Sequence, residues 1–391
     1  MKQKPQPLIK LLKDLDKPLL IASAALFIFG LLNIVTASSR AAVVNYDVSI
    51  YYYFYRQLAF IIIGIIAGIV IIKTDTKYYK LIVPLLFVIV ILLNLWALTF
   101  EELSGSKNWI DLKFIKLQPS EFSKPIIICL LAILFEKNYR KLRTLNIKHY
   151  DTIFTMIFIA MIIPAVVFLQ KDFGTLLIIL FIIFMMFLAS PILKIDKIKT
   201  VLVMIALGGL ALLVMYSVQG YILNDARISR FTSFLDPCGN YENGGYQVCN
   251  SYIAINDGGL WGLGIGKSKQ KYSYIPEPHT DSAFAIIAEE YGIYRTIFIF
   301  ILYGIVLYRI AVIGAKAASL RGRYICVGMI SYIFVHIFIN LGGMFGLIPL
   351  TGVPLPFLSY GGSFVLSLLA SLAIVQRICI ESKHKKIKIP K

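Results

Sequence analysis

The chain has 391 residues, 58% of them hydrophobic and only 15% charged, with a mean hydropathy of +0.78. A soluble domain of this length is far more polar, so a water-soluble globular fold is excluded and a multi-pass membrane protein remains. The net charge of +18 would suggest nucleic acid in a soluble protein; here lysines and arginines in cytoplasmic loops account for it, and no nucleic-acid partner is expected.

Residues 1–17 read as a cytoplasmic N-tail. It carries five lysines, and Leu8, Leu11, Leu12 and Leu15 share one helical face suited to the membrane surface. Ten apolar runs follow, at 18–36, 57–73, 80–98, 119–136, 151–169, 173–190, 200–218, 282–308, 324–342 and 362–378. The expected fold is an all-α polytopic membrane protein, with ten transmembrane helices filling 18–378 and a basic cytoplasmic C-tail over 379–391. Because the first run is followed by many more, it does not read as a cleaved signal peptide. An even number of spans places both termini on one side. The segments on that side hold about two-thirds of the 39 lysines and arginines, which marks it as cytoplasmic.

The outer connections carry the unusual residues. The first is Gly105–Lys124, GSKNWIDLKFIKLQPSEFSK. Trp109 is either an interfacial anchor or a substrate contact. Glu121 and Lys124, three apart, pair on a helix. They form either a structural ion pair or the lining of a cavity opened by Pro119 and Pro125. Arg56, just before the second span, adds an outer cation. In Gln170–Thr175, QKDFGT, Asp172 either caps the sixth span or charges the rim of an outward cavity.

The largest outer loop, 219–281, lies between spans seven and eight. Cys238 and Cys249, in DPCGNYENGGYQVCN, are the cysteines placed outside, where a disulfide can form. Cys129, Cys326 and Cys379 fall in or near spans and read as packing residues. His279 is not at ligand spacing from the outer cysteines, so zinc is not expected. Gly262, Gly264 and Gly266 lie in no βαβ unit and make no dinucleotide fingerprint.

The loop ends in GGLWGLGIGKSKQK, 258–271, and runs into YSYIPEPHTDSAFAIIAEEYG, 272–292. Glycines and then Lys267, Lys269 and Lys271 suit a backbone that bends close to an anionic group. Asp281, Glu289 and Glu290 put three carboxylates at the mouth of an apolar helix, which is costly unless something uses them. Finally, Asn340–Ser363 contains three prolines and six glycines yet stays apolar. A re-entrant, cavity-lining outer loop between spans nine and ten is expected there.

In order and spacing, Gly105–Ile110, Gln118–Lys124, Gln170–Thr175, Pro276–Asp281 and Pro349–Ser363 resemble the pattern of the SEDS family, the shape, elongation, division and sporulation proteins. Asn108, Lys171 and Ser282 stand where that family often has arginine, proline and phenylalanine. The resemblance implies a peptidoglycan glycosyltransferase that polymerises lipid II on the outer face of the bacterial cytoplasmic membrane. Lipid II is a polyprenyl-diphosphate-linked disaccharide-pentapeptide. The resemblance also implies a class B penicillin-binding protein, a transpeptidase, as partner, beside other divisome or elongasome membrane proteins. It makes Asp281 the essential acid and Trp109 an essential tryptophan. The stretch GLIPLTGVPLPFLSYGGSF leans towards division rather than elongation.

Read as chemistry, Asp281 takes the proton of the attacking sugar hydroxyl. Lys267, Lys269, Lys271, Lys124 and Arg56 are the outer cations available to the leaving diphosphate, with Glu121, Asp172 and His279 about the same site. Alternatively, Asp281 holds a divalent cation, magnesium or manganese, that binds the diphosphate. The rival function is a flippase for lipid-linked precursors. Charge clustered at the outer mouth, rather than along a two-sided path, argues against it.

Overall fold

The computed structural model describes residues 8–45, 47–103, 105–113, 115–143, 147–203, 234–243, 245–272, 275 and 278–384. The expected span 200–218 and the start of the large loop lie mostly outside these residues, as does Pro276.

Helix α1, Leu8–Lys13, precedes α2, Lys17–Arg40, α3, Tyr52–Lys73, and α4, Tyr79–Ala97. A two-stranded hairpin, β1 at Ile110–Asp111 and β2 at Lys116–Leu117, leads into α5, Pro119–Lys137. Then come α6, Ile147–Leu169, and α7, Phe173–Ala189. Beyond the large loop are α8, Tyr246–Gly258, α9, Ala283–Ala315, α10, Leu320–Met344, and α11, Gly362–His384. Among the described residues, seven helices are long and apolar enough to cross a membrane, and α7 is a shorter apolar helix.

The expected fourth span behaves differently. Helix α5 has 19 residues, with Glu121 and Lys124 in its N-terminal half. It packs against α4, α6, α7, α10 and α11, and protein covers it on nearly every side. A helix that carries charge at membrane depth has to face other helices rather than lipid. Composition makes α5 the centre of the bundle.

One end of the bundle is closed by charge. Asp16 caps α2 by accepting the Leu19 N–H at 3.0 Å. The same carboxylate takes two hydrogen bonds from Arg309 near the end of α9, at 3.1 and 2.6 Å. Its backbone bonds Gln376 of α11 in both directions. Arg377 pairs with Asp75 and Glu381 and donates to the Ile72 carbonyl at the end of α3. In the N-tail, Leu11 and Leu15 are buried against Ile72, Ala373 and Ile380, while Leu12, expected on the same face, is exposed.

At the opposite end, the segment 345–361 sinks back into the bundle. Val353, Leu355, Phe357 and Leu358 are buried in the main core. Gly30 of α2 makes this possible, since a Cβ there would stand 2.2 Å from the Phe357 carbonyl oxygen. Backbone buried this way needs partners. Gln57 donates to the Ser359 carbonyl and accepts from the Gly361 N–H, and Tyr303 donates to the Pro356 carbonyl.

Candidate functional site

Asp281 stands immediately before α9, where three parts of the fold meet. Gln247 of α8 donates to its carboxylate at 3.2 Å and to Ser282 at 2.8 Å. Thr280 donates to its other oxygen at 3.3 Å. Asn340 of α10 holds its backbone carbonyl at 2.7 Å and the Val353 carbonyl at the same distance. A Cβ on Gly352 would lie 3.8 Å from the carboxylate, so the re-entrant segment passes directly beside it. Protein surrounds the carboxyl group while the residue keeps a partly open edge. Burial raises its pKa above the ordinary aspartate value, and the bond from Gln247 opposes that rise.

The glycine-rich stretch does something other than cradle an anion. Helix α9 breaks at Gly292, whose φ is 73°. The break leaves carbonyls and N–H groups without helical partners. Leu263 and Gly264 donate to the Glu289 and Glu290 carbonyls, while Ile293 and Tyr294 donate to Gly259 and Leu260. Only glycine permits this approach: a Cβ on Gly262, itself at φ 80°, would lie 2.4 Å from the Glu290 carbonyl oxygen. The two neighbouring acids anchor the same loop. Glu289 accepts from the Ser268 hydroxyl and from the Lys269 N–H at 2.7 Å. Glu290 pairs with Lys271 at 3.3 Å. Lys271 is therefore not an available outer cation, because it is buried and committed to Glu290 and the Gly266 carbonyl. Lys267 and Lys269 are exposed, the latter in a loose 4.0 Å pair with Asp257.

A second cluster forms around Asp172. One carboxylate oxygen caps α7 by accepting the Thr175 N–H at 3.0 Å. The other accepts from Asn108 at 2.6 Å and from Gln118, which precedes α5, at 3.2 Å. Asp172 thus binds the hairpin to the starts of α5 and α7. Trp109 is half-buried beside Asn108 and, among the described residues, makes no hydrogen bond or ring pair. The two clusters flank one segment. A Cβ on Gly174 would meet the Thr351 carbonyl at 3.0 Å, and Gly352 faces Asp281.

Lys124 is not on the outer rim. It is fully buried, 2.6 Å from Glu121 and 3.0 Å from Nε2 of His336 on α10. The rings of Tyr332 and Phe364 lie beside the ammonium. His336 Nδ1 faces the Pro354 carbonyl at 3.4 Å, next to the Val353 carbonyl that Asn340 holds. A chain of contacts therefore runs from Lys124 to the backbone of Asp281. Sequence reasoning missed His336, Asn340 and Gln247. Of these, a histidine inside an apolar run was the available signal.

His279 packs on Tyr53 of α3, with ring centroids 4.3 Å apart, and on Tyr360. Burial pushes its pKa down to about 4. Arg56 is half-buried and donates to Tyr52 at 2.9 Å. Cys238 and Cys249 are joined by a disulfide with Cα atoms 5.1 Å apart, tying the first turns of α8, and hence Gln247, to the loop before it. Among the described residues, no three His, Cys, Asp or Glu side chains gather to hold a metal. A cation at Asp281 would need most of its ligands from substrate and water.

Fold and site together define a polytopic helical membrane protein with a desolvated acid at one mouth of the bundle. The family model for the FtsW/RodA/SpoVE cell cycle proteins matches residues 17–384. The chain belongs to that family, the SEDS family. It is 36% identical to the probable peptidoglycan glycosyltransferase FtsW of Bacillus subtilis (strain 168), over 97% of this chain and 95% of that protein. It is 32% identical to stage V sporulation protein E of the same organism, over 94% and 98%. Among solved structures, a chain from work on structural coordination of polymerization and crosslinking by a peptidoglycan synthase complex gives a TM-score of 0.73 at 23% identity. That match covers 94% of this chain and 98% of the other. The Thermus thermophilus rod shape determining protein RodA gives 0.66 at 21% identity, covering 94% and 97%. These last two are likenesses of fold.

Proposed function

We propose that this protein is a peptidoglycan glycosyltransferase that polymerises lipid II on the outer face of the bacterial cytoplasmic membrane, with both termini inside. The observation that carries the reading is Asp281, held by its backbone and raised in pKa by burial. A raised pKa makes this carboxylate a better proton acceptor than an ordinary surface aspartate. Its ionised carboxylate takes the proton of the acceptor sugar hydroxyl as the oxygen bonds to the anomeric carbon. The bond from that carbon to the diphosphate breaks, and the electron pair leaves with the polyprenyl diphosphate. Lys267, Lys269 and Arg56 are the cations proposed to answer that charge, while the lipid tail would stay among apolar helices. If a divalent cation takes part, Asp281 is the residue that would hold it, and the ion would neutralise the leaving diphosphate. A class B penicillin-binding protein is the proposed partner, which agrees with the synthase complex that contains a relative of the same fold. The stretch GLIPLTGVPLPFLSYGGSF leans towards a role in division, to be checked by locating a tagged copy at mid-cell rather than along the side wall.

Among the described residues, the buried Lys124–Glu121–His336 group favours the rival flippase reading, because it sets charge inside the bundle. The deciding experiment supplies labelled lipid II to purified protein, with and without the transpeptidase. Glycan strands are expected. Translocation of lipid II across vesicles without any polymer would install the flippase instead.

A further inference from the structure

Arg295 is a charge that the glycosyltransferase reading leaves unused. It lies three residues after the Gly292 break, exposed on α9, within a long apolar helix. One guanidinium nitrogen donates to the Trp261 carbonyl at 3.1 Å. Among the described residues no carboxylate lies within ion-pair distance of it. A lone arginine facing lipid is costly unless it reaches an anion at the interface. Trp261 and Tyr294, ring centroids 5.2 Å apart, mark that interface level beside it.

A groove of about 370 Å³ runs from Arg295 between α2 and α9. Ala25, Phe29 and Leu32 form one wall, and Phe298 and Leu302 the other. The Phe29–Tyr291 ring pair, centroids 5.0 Å apart, adjoins its upper end. From Arg295 to Leu302 the groove descends two turns, roughly 10 Å along the helix. It has the form of an acyl-chain slot with one cation at the headgroup end.

We propose that this groove is a binding site for an anionic phospholipid of the surrounding bilayer, its phosphate on Arg295 and one acyl chain between α2 and α9. Charge selects the occupant. One guanidinium balances one phosphodiester, whereas a polyprenyl diphosphate carries more charge than a single cation answers. A zwitterionic lipid brings its own cation and has less use for Arg295. The site is separate from the proposed chemistry at Asp281, and its test reads lipid retention rather than catalysis.

The test is native mass spectrometry of the purified full chain with phosphatidylglycerol, phosphatidylcholine or a polyprenyl diphosphate. The wild type is expected to retain phosphatidylglycerol about tenfold better than phosphatidylcholine, the scale of one charge-assisted contact. Arg295→Gln is expected to abolish that preference and Arg295→Lys to keep most of it. Ala25→Phe, which fills the groove without touching the charge, should lower retention of both lipids. Wild-type retention by Arg295→Gln overturns the proposal. So does equal binding of the two phospholipids, or displacement of phosphatidylglycerol by the polyprenyl diphosphate at equal concentration. A photo-crosslinker at Ile28 that captures a protein helix in cells would also overturn it.

Discussion

Asp281→Asn is the sharpest test of the proposed chemistry. The amide keeps the size of the side chain and an acceptor for Gln247 but cannot take a proton. If Asp281 is the base, polymerisation should fall at least about a hundredfold, a rise of ~2.7 kcal/mol in the barrier. Binding of lipid II should change little, since the base acts mainly in the transition state. Gln247 supplies an independent lever. Its amide donates to the carboxylate at 3.2 Å and so favours the charged form. A hydrogen bond to a charged group contributes about 1.5–3 kcal/mol, and this long contact to a partly open side chain belongs at the low end. Losing that contribution disfavours the carboxylate, so Gln247→Leu should raise the pKa of Asp281 further and move the acid limb of the rate profile to higher pH. The assay is the initial rate on labelled lipid II across pH. Near wild-type rates for Asp281→Asn would remove Asp281 from the mechanism, and a downward shift for Gln247→Leu would refute this account of its surroundings.

Three further outcomes are expected. Reducing Cys238–Cys249, separated by 11 residues, should lower the stability of the loop by about 2–3 kcal/mol. Unreduced, denatured protein should offer only Cys129, Cys326 and Cys379 to a thiol reagent, and a count of five would abolish the bridge. His279 stays neutral in the fold because burial lowers its pKa from 6.5 to about 4, whereas the unfolded chain takes up the proton from about pH 6.5 downward. Stability should therefore fall as pH drops from 6.5 to 4, by up to about 3 kcal/mol, and identical pH slopes for wild type and His279→Gln in thermal melts would contradict this. A cysteine placed at Asn243 should react with an impermeant thiol reagent in intact cells and one at Lys141 should not; the reverse pattern would invert the proposed topology.

The apolar helices were legible because lipid tolerates few alternatives to long apolar runs. Helix α5 shows the limit. Its position was readable, but its place at the centre depends on five neighbours that no local pattern names. Asp281 stood out as an acid at a helix mouth. Glu289 and Glu290 carried the same local signal, yet the fold uses them to hold Ser268 and Lys271, some 20 residues back along the chain. The glycines of 258–264 suggest freedom to bend, but Gly258 and Gly262 provide the absence of a Cβ against α9, which depends on a helix break that Gly292 alone does not announce. Lys124 looked like a rim cation because sequence gives a span's order along the chain and not the depth at which its first turns are covered.

The Glu121–Lys124 pair also bears on how the protein is made. A lone charge within an inserting apolar helix is costly, most of all towards the helix centre. These two charges are three residues apart on one helix, so each meets its counter-ion as soon as α5 coils. His336, the third member, is synthesised 212 residues later. At roughly 5–20 residues per second that delay is on the order of ten to forty seconds. Until α10 and α11 are made, the counter-charge available to each of these residues is the one on α5 itself. Removing one partner therefore strands the other charge in lipid before the bundle exists, and the damage begins during insertion, ahead of any effect on the finished protein.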